Sequence, residues 1–361
     1  MEKIKIGILG CTGLVGQQFV KMLDAHPYFE IAALSASEAS TGKKYGEVVD
    51  WFVGGNVPEY ARNIVITETS VDALKKKDVK VVFSALPSNI AKGIEKALAW
   101  ENMYVFSNAS AHRMDPDVPI IIPEVNPKHF ELVESQLANT VAQSIQSKGF
   151  IVTNSNCSTA GLVLGLRPLL NLGLKSVTVT TYQALSGAGR QGVGSLDILG
   201  NVIPYIKDEE EKIERETKKI FGKVINGVIK HANLEINASC CRVPIRVGHL
   251  ESIIVEFDEA VDVGDVSQVL GSYRGVPQEM RLPTAPEVPI IVKTEENRPQ
   301  PLLDRNAGTP GSTKGMAITV GRIRKKGKKI NFFLLVHNTI RGAAGTCILN
   351  AELAIMKNYI N

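Results

Sequence analysis

The stretch IKIGILGCTGLVG, residues 4–16, carries the pattern that decides the fold of the first half of the chain. Its apolar start predicts a buried strand, and the apolar periodicity that follows predicts a helix over residues 14–25. Gly10, Gly13 and Gly16 stand at the turn between them, where free backbone N–H groups and the helix dipole form an anion site. This position predicts a dinucleotide pyrophosphate there, although the spacing is GxxGxxG and not the commoner GxGxxG, and a tight strand-to-helix turn alone also explains three glycines.

The end of the second predicted strand indicates which dinucleotide this turn would bind. NAD-specific folds place a carboxylate there to accept the ribose 2′-hydroxyl. Residues 34–37 contain no Asp or Glu; instead Ser35 and Ser37 stand there, with Lys43 and Lys44 beyond. Hydroxyls and cations suit a 2′-phosphate, so NADP is favoured over NAD, while loop solubility is the plainer explanation of the serines.

The whole chain divides into two patterns. Up to about residue 154, short β-branched runs alternate with helical stretches, which is typical of an α/β domain with a doubly wound parallel sheet. Beyond residue 156 the apolar segments are longer and alternate, which predicts an α+β domain on a largely antiparallel sheet. With 361 residues, the chain is long enough for two cores. We predict a Rossmann-like domain over residues 1–155, a second domain over 156–340, and a closing helix at 341–361 that packs back onto the first domain.

Charge, cysteine content and hydropathy narrow the class of protein. The net charge is +4, and the densest basic run, residues 322–329, has no interleaved aromatic residue, so nucleic acid is not an expected partner. The five cysteines include no CxxC pair, so we expect reduced thiols and no bound metal. Apolar runs are far shorter than the roughly 20 residues that a bilayer requires, and no leader-like segment is present. We therefore expect a cytoplasmic protein without membrane contact.

A candidate nucleophile lies where the two patterns meet. Residues 154–160 read NSNCSTA between a predicted strand and an apolar helix, which places Cys157 at the helix N-terminus, a position that lowers a thiol pKa. Most cysteines are inert core residues, but a buried structural one needs no polar residues on both sides. His249 ends the stretch RVPIRVGH that begins at Arg242. It is the candidate general base, with a hydrogen-bonded strand histidine as the alternative.

Two further clusters fit an anionic substrate. Residues 107–113, SNASAHR, follow a predicted strand and offer hydroxyls beside the guanidinium of Arg113, which suggests phosphate binding. Residues 209–212, EEEK, open a charged helix, which by itself is typical of a solvated helix face. From the residues alone, the chain is predicted to be a thiol-dependent dehydrogenase with an anionic substrate.

Taken in order, these and other motifs resemble aspartate-β-semialdehyde dehydrogenase, in the branch found in archaea, fungi and some bacteria. The likeness covers almost the whole chain. The motifs are GLVG at 13–16, SNAS and HRMDPDVP around Arg113, SNC ending at Cys157, YQALSGAG from Tyr182, RVPIRVGH ending at His249, LPTAP from Leu282, RPQP from Arg298 and NTIRGAAG from Asn338. Several ordered motifs together are far more specific than any one of them.

The resemblance implies a role for each matching residue of the substrate site. Cys157 is expected to form an acyl thioester, with His249 as acid/base and Gln183 orienting the substrate. Arg242 is expected to hold the substrate α-carboxylate, and Glu209 its ammonium group.

The resemblance also implies phosphate and cofactor contacts. Arg113 and Lys212 are expected to bind the acyl phosphate or inorganic phosphate, and Asn156 is expected among the substrate-binding residues. The expected NADP contacts are Gly10, Thr12, Gly13, Leu14, Val15, Gly16, Ser35, Ser37, Ser186, Gly187 and Asn338.

In the reaction that the resemblance implies, Cys157 attacks the β-carbonyl of L-aspartyl 4-phosphate, phosphate leaves, and hydride from NADPH yields L-aspartate 4-semialdehyde. This step serves the biosynthesis of lysine, threonine, methionine and isoleucine. The resemblance further implies a homodimer or homotetramer, with residues 156–340 as the catalytic and dimerisation domain. Malonyl-CoA reductase and N-acetyl-glutamyl-phosphate reductase are alternative enzymes, and a catalytically silent NADP-binding regulator is the alternative of another class.

Overall fold

The first half of the chain folds around a five-stranded parallel sheet in the order β2-β1-β3-β4-β5. The computed structural model describes residues 2–142, 147–308 and 313–360. The strands are β1 Ile4–Leu9, β2 Phe29–Ser35, β3 Val81–Ser84, β4 Tyr104–Ser107 and β5 Phe150–Thr153. The strand order reverses between β1 and β3, which confirms the doubly wound α/β fold. Ligands of such sheets bind at the carboxyl ends of the strands beside the reversal.

The second half is built on a six-stranded sheet in the order β11-β12-β13-β10-β6-β9. Its strands are β6 Leu174–Gln183, β9 Glu235–Arg242, β10 His249–Phe257, β11 Ile290–Lys293, β12 Ile318–Lys326 and β13 Lys329–Val336, and a separate hairpin contains β7 Lys223–Ile225 and β8 Val228–Lys230. The sheet is mixed, because three pairings are antiparallel while β6 with β9 and β11 with β12 are parallel. Each parallel pair is joined by a long crossover, as parallel pairing requires.

Helices and short helical turns supply the remaining elements. The helices are α1 Leu14–Met22, α2 Tyr45–Val48, α3 Glu59–Arg62, α4 Val71–Lys75, α5 Ser88–Trp100, α6 Leu132–Ala142, α7 Cys157–Leu166, α8 Ser195–Ile198, α9 Glu209–Ile220, α10 Val263–Ser272, α11 Val276–Glu279, α12 Pro301–Asp304 and α13 Gly345–Met356. A π-helical turn, Ile340–Ala344, leads directly into α13. Within the described part of the chain, none of the helices is long and apolar enough to cross a membrane.

Helix α7 is buried on all sides and packs closely against the second sheet. Residues 158–166 are all buried, so this helix is apolar around its whole circumference. A Cβ on Gly161 would come within 2.8 Å of Val336, and one on Gly165 within 2.5 Å of Leu334. These two glycines therefore allow the helix backbone to approach β13. The close approach fixes the N-terminus of α7 over the sheet.

Helix α13 belongs to the core of the first sheet, although it ends the chain. Its residues Cys347, Ile348 and Leu349 lie in the same apolar cluster as Phe83 and Phe106. The thiol of Cys347 also donates a hydrogen bond to the carbonyl oxygen of Phe106 at 3.2 Å. Residue 361, the last of the predicted closing segment, lies outside the described residues.

Candidate active site

Cys157 is the first residue of α7 and follows the turn that leaves β5. The Asn156 side chain caps this helix, because its Oδ1 accepts hydrogen bonds from the N–H groups of Ser158 at 2.9 Å and Thr159 at 3.2 Å. The five cysteines are free thiols, and Cys157 is partly accessible. The asparagine before the cysteine thus starts the helix at the candidate nucleophile.

His249, the first residue of β10, is the partner of this thiol. Its Nε2 lies 3.2 Å from Cys157 Sγ, and its Nδ1 accepts a hydrogen bond from the Ala184 N–H at 3.0 Å. Burial, followed by the charges of Arg242 and His337, lowers the pKa of His249 to about 3. The neutral ring therefore carries its proton on Nε2, facing the sulfur. In this arrangement His249 is a hydrogen-bond donor, and action as a base would need the other tautomer.

The thiol of Cys157 has a higher pKa than its helix position predicts. Burial is the largest cause and the charge of Glu209 adds to it, and together they raise the pKa of the thiol to about 12. Arg113 and Arg242 act in the opposite direction, as does a backbone hydrogen bond at Ser158. The expectation of a lowered pKa was therefore wrong for this state, because desolvation outweighs the helix terminus and both cations.

Arg242 ends β9 and stands beside Gln183, which ends β6. The Arg242 Nη1 donates to the carbonyl oxygen of Ala184 at 2.8 Å, and Gln183 is buried next to it. A Cβ on Gly187 would come within 2.8 Å of Arg242 Nη1 and 3.1 Å of His249 Cε1. A glycine at this position therefore lets the 184–189 segment pass directly over both side chains.

Arg113 lies in the loop that follows β4. Its Nη1 donates to Glu216 at 2.9 Å, and its Nη2 donates to the carbonyl oxygen of Asn108 at 2.8 Å. Its Nε is buried and has no hydrogen-bond partner among the described residues. Because the charge of Arg113 lowers the pKa of Cys157, the guanidinium also lies within electrostatic reach of the sulfur.

Helix α9 contributes one of its faces to the same site. Glu209 Oε1 accepts a hydrogen bond from Asn156 Nδ2 at 2.7 Å, and Glu209 Oε2 lies 4.0 Å from Lys212 Nζ. This face of the helix is thus directed at the N-terminus of α7. The structure brings together the residues predicted for catalysis and substrate binding: Cys157, His249, Gln183, Arg242, Glu209, Arg113, Lys212 and Asn156.

The glycine turn after β1 has the shape of an anion cradle. Gly10 has φ +74, and a Cβ on Gly16 would lie 2.2 Å from the Gly10 carbonyl oxygen, so both positions require glycine. A Cβ on Gly13 would meet only that same oxygen, at 3.5 Å. No side chain among the described residues caps the start of α1 at Gly13. Space and free N–H groups at this helix start fit a pyrophosphate.

The two serines predicted to meet a 2′-phosphate differ in exposure. Ser35 is fully buried, and its hydroxyl pairs with that of Thr69 at 3.0 Å. Ser37 is exposed, and Lys43 Nζ, also near the surface, donates to the carbonyl oxygen of Ala39 at 2.9 Å. Of the two hydroxyls, that of Ser37 is therefore the better placed for a ligand.

A cavity of about 540 Å³ lies along α1 between the two halves of the chain, and Leu14 and Ser186 are among its lining residues. Asn338 stands behind it, accepting from the Gly248 N–H at 3.0 Å and donating to the Ser186 hydroxyl at 2.8 Å. Four cations that the sequence did not single out also line it, namely Lys21, Arg246, Arg305 and Lys314. The cavity adjoins the glycine turn and suits an anionic, nucleotide-sized ligand.

Three residues of the site escaped the sequence-based prediction. Ala184 acts through its backbone N–H and carbonyl, and Gly342 through its closeness to Cys157, where a Cβ would lie 2.7 Å from the cysteine Cβ. Neither contribution leaves a signal in the sequence. Glu216 could have been predicted from the sequence, because it follows Glu209 by seven residues and so lies on the same face of α9.

Two family models match the chain. The first, described as the NAD binding domain of semialdehyde dehydrogenase, matches residues 5–133. The second, described as the dimerisation domain of semialdehyde dehydrogenase, matches residues 166–341. Together they span most of the chain.

Individual relatives match it from end to end. Aspartate-semialdehyde dehydrogenase of Archaeoglobus fulgidus is 49% identical, covering 99% of this chain and 100% of the relative. The crystal structure of the Candida albicans aspartate-semialdehyde dehydrogenase with NADP superposes with a TM-score of 0.88 at 40% identity, covering 99% of this chain and 100% of that one. Malonyl CoA reductase (NADP) of Metallosphaera sedula is 41% identical, covering 99% of this chain and 98% of the relative.

Proposed function

The chain belongs to the semialdehyde dehydrogenase family, and from that premise we propose that it is an NADP-dependent aspartate-semialdehyde dehydrogenase. It interconverts L-aspartyl 4-phosphate and L-aspartate 4-semialdehyde in amino-acid biosynthesis. The observation that carries the proposal is the Cys157–His249 pair at 3.2 Å, with the charges of Arg113, Arg242 and Glu209 within electrostatic reach of the sulfur. Around this one thiol, the substrate's α-carboxylate can pair with Arg242, its ammonium group with Glu209 and its phosphate with Arg113.

Cys157 is the nucleophile of the proposed reaction. Its thiolate attacks the β-carbonyl carbon. Phosphate then departs as the leaving group, and a thioester forms on Sγ. The Nε2–H of His249 stabilises negative charge on the sulfur, and in later steps His249 serves as acid/base once the Ala184 contact at Nδ1 opens. Because burial disfavours the thiolate, the two neighbouring guanidinium groups are needed to lower its free energy.

The substrate groups are assigned by charge and geometry. Arg242 has one Nη committed to Ala184, which leaves its other N–H groups to bind the substrate α-carboxylate. Glu209 binds the ammonium group, and Gln183 orients the chain between them. Arg113 offers its buried Nε to the phosphate, and the partly exposed Lys212 adds a second cation.

The residues present fit an NADP molecule. Residues 10–16, with Thr12, Leu14 and Val15 at the helix start, would hold the pyrophosphate, and Ser37 and, less directly, Ser35 would bind the 2′-phosphate. Ser186 lines the cavity beside this turn and is held by Asn338, and together with Gly187 these residues are assigned to the other end of the cofactor. When bound, the cofactor supplies or accepts the hydride that interconverts the thioester and aldehyde levels.

We further propose the domain organisation and assembly. Residues 1–155 with 341–361 form the cofactor domain, and residues 156–340 form the catalytic and dimerisation domain. The shared apolar cluster of α13 with β3 and β4 supports the first assignment. The matching family model described as a dimerisation domain supports a homo-oligomer, proposed to be a homodimer or a homotetramer. The free thiols are in keeping with a cytoplasmic location.

The test is a phosphate-dependent assay of NADP reduction. With L-aspartate 4-semialdehyde as substrate, the purified chain should reduce NADP only when inorganic phosphate is present, because phosphate must cleave the thioester. Reduction that does not require phosphate would contradict the proposed reaction. The catalytically silent regulator would give no turnover at all and would keep its properties after Cys157 is alkylated.

Malonyl-CoA reductase is the second candidate, because a relative of that name is 41% identical over almost the full chain. The same assay is therefore run in reverse with NADPH and malonyl-CoA as the oxidant. Turnover with malonyl-CoA that exceeds turnover with the semialdehyde would favour this second function.

A further inference from the structure

Helix α9 presents four charged residues on one face, of which only the first two were assigned above. Glu209, Lys212, Glu216 and Lys219 are spaced by three, four and three residues, so they line one side of the helix. Glu216 and Lys219 are almost fully buried, with 2% exposure each. Burial of two charges calls for specific partners. Those partners lie in the proposed phosphate-binding loop and at the start of α7.

Glu216 connects two separate parts of the site through one carboxylate. Its Oε1 accepts a hydrogen bond from Arg113 Nη1 at 2.9 Å, and its Oε2 accepts one from the backbone N–H of Asn156 at 2.5 Å. Arg113 is the proposed phosphate ligand, and Asn156 immediately precedes Cys157. The carboxylate of Glu216 therefore links the guanidinium of Arg113 directly to the backbone beside the nucleophile.

Lys219 holds the other end of the same loop. Its Nζ donates to the carbonyl oxygens of Arg113 at 2.7 Å, Asp115 at 2.8 Å and Val118 at 2.7 Å. These three bonds use all the protons of the ammonium group, so Lys219 has none left for a ligand. Its role is to fix the backbone of the loop. Arg113 is thus held by α9 twice, at its main chain and at its side chain.

The hydrogen bonds of the Arg113 guanidinium indicate why its position is fixed. One Nη is bound by Glu216 and the other by the Asn108 carbonyl oxygen, while the buried Nε has no partner among the described residues. A buried N–H donor without a partner is costly, and it is satisfied when an anion binds there. Glu216 and the Asn108 carbonyl oxygen thus fix the orientation of the guanidinium through its two Nη groups and leave its Nε without a partner.

We propose that Glu216 is a positioning residue that sets the orientation of Arg113 for phosphate and couples occupancy of the phosphate site to the reactivity of Cys157. This inference rests on the proposed function, since it takes Arg113 as the phosphate ligand. A glutamine at 216 has only one acceptor oxygen, so it satisfies Arg113 or the Asn156 N–H but not both. Its amide nitrogen would face the second donor.

The experiment compares Glu216→Gln with Glu214→Gln in the phosphate-dependent direction. Glu214 is the matched control, because it lies on the same helix and also accepts from a backbone N–H, that of Ala238 at 3.1 Å, away from the thiol. We expect Glu216→Gln to raise the KM for phosphate at least about tenfold. The KM for NADP should stay close to that of the control. An unchanged phosphate KM would overturn the proposal.

A double-mutant cycle separates positioning from general destabilisation. If Glu216 acts through Arg113, the effect of Glu216→Gln on the phosphate KM disappears in an Arg113→Gln background. Additive effects of the two substitutions would show that Glu216 acts independently of Arg113, and the proposal would fail. If the parent needs no phosphate, the proposed function fails instead, so the two failures are distinguishable.

A second measurement covers the case in which Glu216→Gln does not fold. The rate of iodoacetamide labelling at Cys157, followed by peptide mass spectrometry, is measured in the parent with and without inorganic phosphate. We expect phosphate to change this rate in the parent and in Glu214→Gln, and to have no effect in Arg113→Gln. A parent rate that is insensitive to saturating phosphate would overturn the coupling.

Discussion

Replacing Gly187 by alanine should damage catalysis while sparing the fold. The new Cβ would lie 2.8 Å from Arg242 Nη1 and 3.1 and 3.2 Å from the Cε1 and Nε2 atoms of His249, whereas ordinary contact begins at 3.4 Å. Neither neighbour can yield freely, because both are hydrogen-bonded to Ala184. The backbone at Gly187 does not lie in the left-handed region, so alanine adds no strain of its own there.

The magnitude follows from the size of the displacement. The overlap requires shifts of roughly half an ångström in the proposed carboxylate anchor and in the imidazole beside the thiol. A misplacement of about 1 Å at a reacting group costs on the order of a hundredfold in rate, so we expect kcat/KM for the semialdehyde to fall roughly tenfold to a hundredfold. Steady-state kinetics with varied aldehyde and varied NADP measure the effect.

The matched control for this substitution is Gly264→Ala. Gly264 lies in the first turn of α10, and a Cβ there would meet nothing within 4 Å. This variant should keep parental kinetics and Tm. A Gly187→Ala variant whose kcat/KM stays within twofold of the parent would refute the view that the 184–189 segment sets the positions of Arg242 and His249.

Four other outcomes follow from the same site. Cys157→Ser should lower kcat at least about a thousandfold with NADP affinity intact, as measured by single-turnover kinetics and cofactor titration, and activity within tenfold of the parent would remove the nucleophile assignment. Arg242→Lys should raise the aldehyde KM steeply, because an ammonium group cannot bind Ala184 and a carboxylate in the forked geometry; parental substrate binding would disprove this anchor. Burial raises the pKa of Cys157 to about 12, so the thiolate fraction should rise about tenfold per pH unit between pH 7 and 9. The rate of iodoacetamide labelling should rise in parallel, and a plateau of this rate near pH 7 would contradict the raised pKa. NADP should be preferred over NAD by at least about tenfold in kcat/KM, or 1.4 kcal/mol, and Ser37→Asp should remove most of that preference; equal use of both cofactors by the parent would refute it.

The fold could be predicted largely from apolar periodicity, whereas the ends of elements were set by local backbone chemistry. The helix predicted over residues 14–25 ends at Met22, because Ala25 takes φ +53 and Pro27 follows. Strand β9 ends at Arg242, because Pro244 lacks an N–H for the ladder.

Side-chain roles were predictable where a motif fixes the residue, but their electrostatics were not. The position of Cys157 at the start of α7 follows from the sequence NSNC after a strand. The direction of its pKa shift does not, because it depends on how much protein from distant segments surrounds the sulfur. The proton position on His249 likewise depends on the backbone of Ala184, which lies 65 residues away in the chain. Contacts of this kind are visible only in three dimensions.

The place of α13 in the first core has a consequence for the order in which the protein folds. Residues of α13 lie in one apolar cluster with Phe83 of β3 and Phe106 of β4. The core around these early strands is therefore complete only after α13 has been synthesised. A ribosome releases the N-terminal half first, and domains usually fold as they emerge. Here part of the apolar surface of the first sheet stays uncovered until α13 has been synthesised. A translation product interrupted before α13 would therefore expose the apolar surface that Cys347, Ile348 and Leu349 cover, and chaperones and proteases would act on it.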